Sequence, residues 1–225
     1  TLFPYTTLFR SEPSRQPWLI VLEAAAQRPE VPGYRSVMLP DLQWLTNRPI
    51  TDIVRYKARS FPAFTHGPLQ PDPGLQAFVD LPPGFNPRTQ ALADEIRRDP
   101  RHAQASTSTL VQVALERLRT GGYTYTLEPG VFGRHTADEF WFDSKQGFCE
   151  HIASSFVILM RAMNIPARIV TGYQGGERNS VDGFWVVRQS DAHAWAEVWQ
   201  AGAGWVRVDP TSAVAPGRTG AFQRL

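Results

Sequence analysis

The chain has 225 residues, 42% of them hydrophobic and 12% aromatic, which is enough apolar surface for a packed core in one large or two small domains. Its formal net charge is only +2, and basic residues such as Arg97, Arg98 and Arg101 are interspersed with acids, which excludes an electrostatic track for nucleic acid. A single cysteine excludes an intrachain disulfide, and no apolar run reaches the roughly 18 residues of a membrane-spanning helix, Trp18 to Ala26 being interrupted by Glu23.

In chain order, the first eleven residues, Thr1-Leu-Phe-Pro-Tyr-Thr-Thr-Leu-Phe-Arg-Ser, match the conceptual translation of a common sequencing-library adapter. They are expected to be an assembly artefact joined to a partial reading frame, outside fold and function. Residues 12–84 are rich in proline, with short extended runs at Trp18 to Leu22, Ser36 to Leu39 and Ile53 to Ala58 and no long helical period. A small β-rich N-terminal subdomain with a truncated start is expected there. The composition shifts at Leu81-Pro-Pro-Gly. Leu92 and Ile96 then mark a helix ending near Pro100, and Leu110, Val111, Ala114, Leu115 and Leu118 mark a second, stopped by Gly121-Gly122. Tyr123 to Leu127 reads as a strand, followed by a loop of about ten residues.

Cys149 opens the next element. Ile152, Phe156, Leu159, Met160 and Met163 follow it at helical spacing, so the helix starts at the cysteine and ends before Pro166. In a first helical turn the unpaired N–H groups and the positive end of the dipole favour a thiolate, and the Cys149 N–H is free to meet an oxyanion. Beyond Pro166 come short β-branched and aromatic runs bounded by Gly, Asn and Asp, the texture of an antiparallel sheet: Ala167-Arg-Ile-Val-Thr-Gly-Tyr, Gly183-Phe-Trp-Val-Val-Arg, His193-Ala-Trp-Ala-Glu-Val-Trp and Gly204-Trp-Val-Arg-Val-Asp-Pro. Period-2 alternation puts His193, Trp195 and Glu197 on one face of a strand and Trp205, Arg207 and Asp209 on one face of the next. A turn over Gln200 to Gly204 brings His193 beside Asp209. A thiol, an imidazole and a carboxylate in the order Cys, His, Asp are the parts of a thiol acyl-transfer site, because the carboxylate-held imidazole generates the nucleophilic thiolate. A zinc site at Cys149 and His151 is disfavoured, since i and i+2 on a helix face different ways and no second cysteine exists.

Four stretches in order carry a further signal. They are Lys145-Gln-Gly-Phe-Cys-Glu-His-Ile-Ala-Ser-Ser-Phe, Met163-Asn-Ile-Pro-Ala-Arg-Ile-Val-Thr-Gly-Tyr-Gln-Gly-Gly-Glu, Asp191-Ala-His-Ala-Trp-Ala-Glu-Val-Trp and Gly204-Trp-Val-Arg-Val-Asp-Pro-Thr. Together they resemble the transglutaminase-like superfamily, nearest its bacterial membrane-bound branch, whose core domain lies in the periplasm. The likeness runs from about Asp138 to Arg218 and reaches back weakly through Leu81-Pro-Pro-Gly-Phe-Asn-Pro-Arg and Tyr123-Thr-Tyr. The resemblance implies an α+β, papain-like core over residues 85–218, with 219–225 as a tail. It also implies Cys149 as nucleophile, His193 as general base, Asp209 as its orienting partner, and no cofactor or metal. The implied substrates are a protein or peptide glutamine as donor and a primary amine as acceptor. The implied setting is the periplasmic domain of an inner-membrane protein, attached through segments outside this chain.

The same triad also suits a thiol peptidase or amidase, and related domains that lose a triad residue act as binding modules, for example for cell-wall peptide. Asp143, upstream of the cysteine, is acceptor-only when ionised, so Trp141 with its indole N–H is the candidate second oxyanion donor. Trp195, with Trp199 and Trp205, is a candidate wall of an acyl-acceptor channel. Tyr173 to Gly176 read as a loop at the rim of the site, with Gly176 and Glu177 equally suited to a hairpin turn. No acidic cluster matches a calcium loop of the EF-hand type.

Overall fold

The computed structural model describes residues 5–219, and its apolar side chains gather into two main cores belonging to separate units of the chain. One unit comprises residues up to Phe64 together with Gly175–Asp191, and the other comprises Thr65–Gln174 and the chain from Ala192 onward.

The first unit is built from short strands. They are β1 (Tyr5–Ser11), β2 (Trp18–Leu19), β3 (Ser36–Met38), β4 (Trp44–Thr46) and β5 (Val54–Ser60), joined by β9 (Glu177–Arg178) and β10 (Trp185–Val186) from much later in the sequence. In β5 alternate residues Val54, Tyr56, Ala58 and Ser60 are buried while Arg55, Lys57 and Arg59 face solvent, the period of a strand with one covered face. It pairs antiparallel with β1 along the full length of both, from Tyr5 opposite Ser60 to Ser11 opposite Val54, and Phe9 stacks on Tyr56 at 5.4 Å. Tyr5–Ser11, set aside above, is thus a strand of this unit with Thr7, Phe9 and Ser11 buried; Thr1 to Pro4 lie outside the described residues. A parallel bridge, Phe9 opposite Trp185, adds β10, and the sheet order is β5-β1-β10-β9. The run around Trp185 therefore belongs to this sheet and not to the one that carries His193.

The second unit begins with residues 65–84, which composition had grouped with the N-terminal strands. The proline-rich backbone here serves as a strap over a β-hairpin: Trp205 N–H donates to the His66 carbonyl (2.8 Å), Gly202 N–H to that of Leu69 (2.7 Å) and the Trp199 indole to that of Pro68 (2.6 Å). Gly204 permits this approach. Its φ is +76° and a side chain there would run into the His66 carbonyl.

Then follow α1 (Pro87–Arg98), α2 (Thr107–Thr120), β6 (Thr124–Tyr125), α3 (Thr136–Asp138), β7 (Gln146–Gly147), α4 (Cys149–Ala162), β8 (Ala167–Tyr173), β11 (Ala192–Gln200), β12 (Gly204–Val208), α5 (Thr211–Val214) and α6 (Pro216–Thr219). Apolar residues from α1, α2, α4, β11 and β12 share one core, in which Leu110, Ile152, Phe156, Leu159, Met160, Ala196 and Val198 are almost fully buried. The loop expected after Leu127 runs to His135, but it is followed, before Cys149, by α3 continued by a π-helical turn over Glu139–Ser144, which buries Phe140 and Trp141 completely. Buried Asp138 ties α3 to α1. Its carboxylate accepts from the Arg88 N–H (3.0 Å), the Thr89 N–H (2.7 Å) and the Thr89 hydroxyl (2.7 Å), filling the open N-terminal donors of α1, while the Asn86 side chain accepts from the Ala137 N–H (3.0 Å).

The sheet order is β12-β11-β8, antiparallel throughout, with α4 against one face. The unit is an α+β fold with the cysteine at a helix N-terminus packed on an antiparallel sheet. Among the described residues no helix is long and apolar enough to cross a membrane. The tail expected at 219–225 lies, apart from Thr219, outside the described residues.

Candidate active site

Cys149 is the first residue of α4, after Phe148 with extended backbone at the cap, and it packs with Ala153, Ala194 and Phe148, 9% exposed. Register supplies its neighbours. Ala194, Ala196 and Val198 of β11 point into the core, so His193, Trp195 and Glu197 point away from it. Antiparallel pairing of Ala196 with Val208 carries β12 forward until Asp209, one residue past its end, reaches His193. The His193 Nε2 and an Asp209 oxygen are 2.8 Å apart, both side chains largely buried, and the second Asp209 oxygen accepts from the Thr211 N–H at 3.1 Å. With Nε2 so engaged, Nδ1 is the ring nitrogen left for the hydrogen bond between His193 and the thiol.

Burial pushes the Cys149 thiol up, but the hydrogen bond with His193, the N–H groups of Ala194 and Glu150 and the imidazolium charge outweigh it and hold the thiol below its ordinary value. Burial pushes the His193 ring down, and hydrogen bonds to Asp209 and Cys149 with their negative charges raise it to about 9. The signs define a window. Thiolate persists above a value lower than that of a free thiol, imidazolium persists below about 9, and between them the site holds an ion pair. Alkylation of Cys149 by iodoacetamide is accordingly expected to begin at lower pH than that of a free thiol. In His193→Ala the profile moves to more alkaline pH, because the hydrogen bond and the imidazolium charge are lost and only the N–H groups of Ala194 and Glu150 still oppose burial; a rate–pH titration of both proteins checks this.

The other candidates fall in different places. Trp141 is completely buried and donates its indole N–H to the Ser155 carbonyl (3.1 Å), so that donor is spent inside the core, and Tyr123 packs edge-on against the ring. Trp195 is 4% exposed and lies beside the His193 ring (6.3 Å, 25° between planes), a support under the imidazole rather than an open channel wall; its indole nitrogen is buried without a partner in the protein. Tyr173 is half-buried at the end of β8, opposite Ala192. His151 is held between Phe132 (4.5 Å) and Phe148 (4.4 Å), and among the described residues no three His, Cys, Asp or Glu side chains are grouped as a metal ion requires. Three participants were not singled out from sequence: the Ala194 N–H on the thiol, Gly172 opposite His193, and Arg207, whose guanidinium carbon sits 4.0 Å over Trp195. A Cβ on Gly172 would lie 2.9 Å from the edge of Trp195, and a glycine inside a strand-like run was the available sign of such an approach.

Residues 90–210 match the transglutaminase-like superfamily. The chain is 38% identical over 208 residues to the protein-glutamine gamma-glutamyltransferase of Pseudomonas aeruginosa, covering 92% of this chain and 30% of that protein's length. The crystal structure of the periplasmic domain of TgpA from Pseudomonas aeruginosa is similar with a TM-score of 0.82 at 36% identity, covering 100% of this chain and 78% of that one. The structure of that domain bound to ethylmercury gives 0.81 at 38%, with 93% and 73% covered. A family match over more than half of the chain, on a fold shared at this level, has one reading: the chain belongs to the transglutaminase-like superfamily.

Proposed function

We propose that this chain is the catalytic domain of a thiol acyltransferase that moves the acyl group of a glutamine side chain, in a protein or peptide, to a primary amine. The observation that carries the reading is the thiol at the start of α4, hydrogen-bonded to an imidazole that Asp209 holds at 2.8 Å. The Cys149 thiolate attacks the carboxamide carbon and its C–N bond breaks. The His193 imidazolium gives its proton to the departing ammonia, leaving a thioester. The amine then attacks the thioester, its proton passes to the now neutral His193, and the C–S bond breaks to return the thiolate. Asp209 keeps the ring oriented through both half-reactions. By analogy with the Pseudomonas aeruginosa relatives, the domain works in the periplasm, and membrane attachment is assigned to segments of the parent protein outside this chain.

Mass spectrometry of the protein with a glutamine peptide and a primary amine tests this. Amine incorporation with loss of ammonia is expected; peptide cleavage or a deamidation shift would move the assignment to a thiol peptidase or amidase. Substitution at Gly172 adds a second check. A methyl group in Gly172→Ala displaces Trp195 and the imidazole beside it, and a roughly tenfold slower incorporation with unchanged circular dichroism is expected.

A further inference from the structure

Arg207 carries a charge that the fold does not use. It lies on the sheet face that bears His193 and Asp209, two residues before Asp209, and its side chain is exposed. The guanidinium is stacked 4.0 Å over Trp195, the ring that itself lies 6.3 Å from that of His193. Glu197, directly across the strand pair, is the carboxylate expected to neutralise it. Glu197 is instead held by Arg168 from the other side at 2.6 Å, with Arg168 in turn stacked on Trp205. Among the described residues no carboxylate forms an ion pair with Arg207. An exposed guanidinium fixed in position by a buried indole is preorganised for a bidentate carboxylate.

We propose that Arg207 is a substrate-binding residue that selects acyl donors bearing a carboxylate near the reactive glutamine. The proposal rests on the acyl-transfer reading of Cys149 and adds the charge of the donor to it. The donor is the substrate assigned to this contact because it is the one that Cys149 binds first and holds as the acyl-enzyme. The two ring contacts in series set an upper limit on the separation of the guanidinium from the imidazole, and at about 3.5 Å per residue of extended chain this places the acidic side chain within roughly three positions of the glutamine.

The test uses two chloroacetyl-capped peptides that alkylate Cys149, identical except for Glu or Gln two to three residues from the reactive carbon, so it reads recognition without turnover. The chain is expected to be labelled roughly fivefold faster by the Glu peptide at subsaturating concentration, a preference that shrinks with salt. The ratio falls to about one in Arg207→Gln, falls below one in Arg207→Glu, and is partly restored in Arg207→Lys, which returns the charge without the planar fork. Equal labelling by both peptides, or a preference that survives in Arg207→Gln, overturns the proposal and leaves the acyl-transfer reading standing. Failure of both peptides to label Cys149 in folded protein overturns both readings.

Discussion

Replacing Cys149 with alanine is expected to abolish amine incorporation, a loss of roughly four orders of magnitude or more, and His193→Ala to fall nearly as far. The two effects do not add. In the proposed mechanism every proton that His193 moves belongs to a step through the Cys149 thiolate or thioester, so the double variant is expected to be no slower than Cys149→Ala alone. Asp209→Asn separates orientation from charge. It preserves the size of the side chain but presents an amide where the His193 Nε2 now meets a carboxylate at 2.8 Å, and the largest drop is expected in the turnover step with little change in peptide affinity. Single-turnover trapping of the thioester measures each variant. A Cys149→Ala protein that still incorporated amine would remove this residue from the mechanism.

The second large effect concerns stability. Asp138→Ala removes the acceptor for two backbone N–H groups and a hydroxyl at the start of α1, and for the two donors of buried Thr89 no solvent replaces it. Stranding such donors costs about 1–3 kcal/mol each, so a loss of about 3 kcal/mol or more and a thermal midpoint lower by roughly 10 °C are expected. Asp138→Asn retains one acceptor oxygen and should recover about half of the loss. Thermal unfolding followed by circular dichroism measures both. A midpoint within about 2 °C of the unsubstituted chain would show that α1 holds its start without this carboxylate.

Elements with a long, regular period were legible from the residues alone. The helices around Leu92, Leu110 and Ile152 repeat apolar side chains over several turns and end at glycine or proline, and the alternation in His193 to Trp199 fixed which side chains face the core. The meeting of Cys149, His193 and Asp209 followed from that alternation and one short turn. Features created by distant parts of the chain were not legible. Trp141 was a candidate donor by type, but its N–H is satisfied by Ser155, a partner set by how the π-helical turn seats against α4. Residues 65–84 read by composition as part of the β-rich N-terminal subdomain, yet their carbonyls serve the Trp199–Trp205 hairpin, and nothing local encodes that. The Trp185 strand shows the same limit: two residues carry too little pattern to specify which sheet they join.

That strand also dictates an order of events during synthesis. The first unit takes two of its strands, β9 and β10, from the segment 175–191, which lies between the strand ending at Tyr173 and the one bearing His193. When synthesis has passed residue 64 the sheet is still incomplete, and its β1 edge stays open until more than a hundred further residues have emerged. The first unit cannot finish folding before the helix that begins at Cys149 has been made. Nor can it be transplanted to another protein as a continuous N-terminal module, because any cut that kept it whole would pass through the polypeptide one residue before the strand pair that holds the histidine.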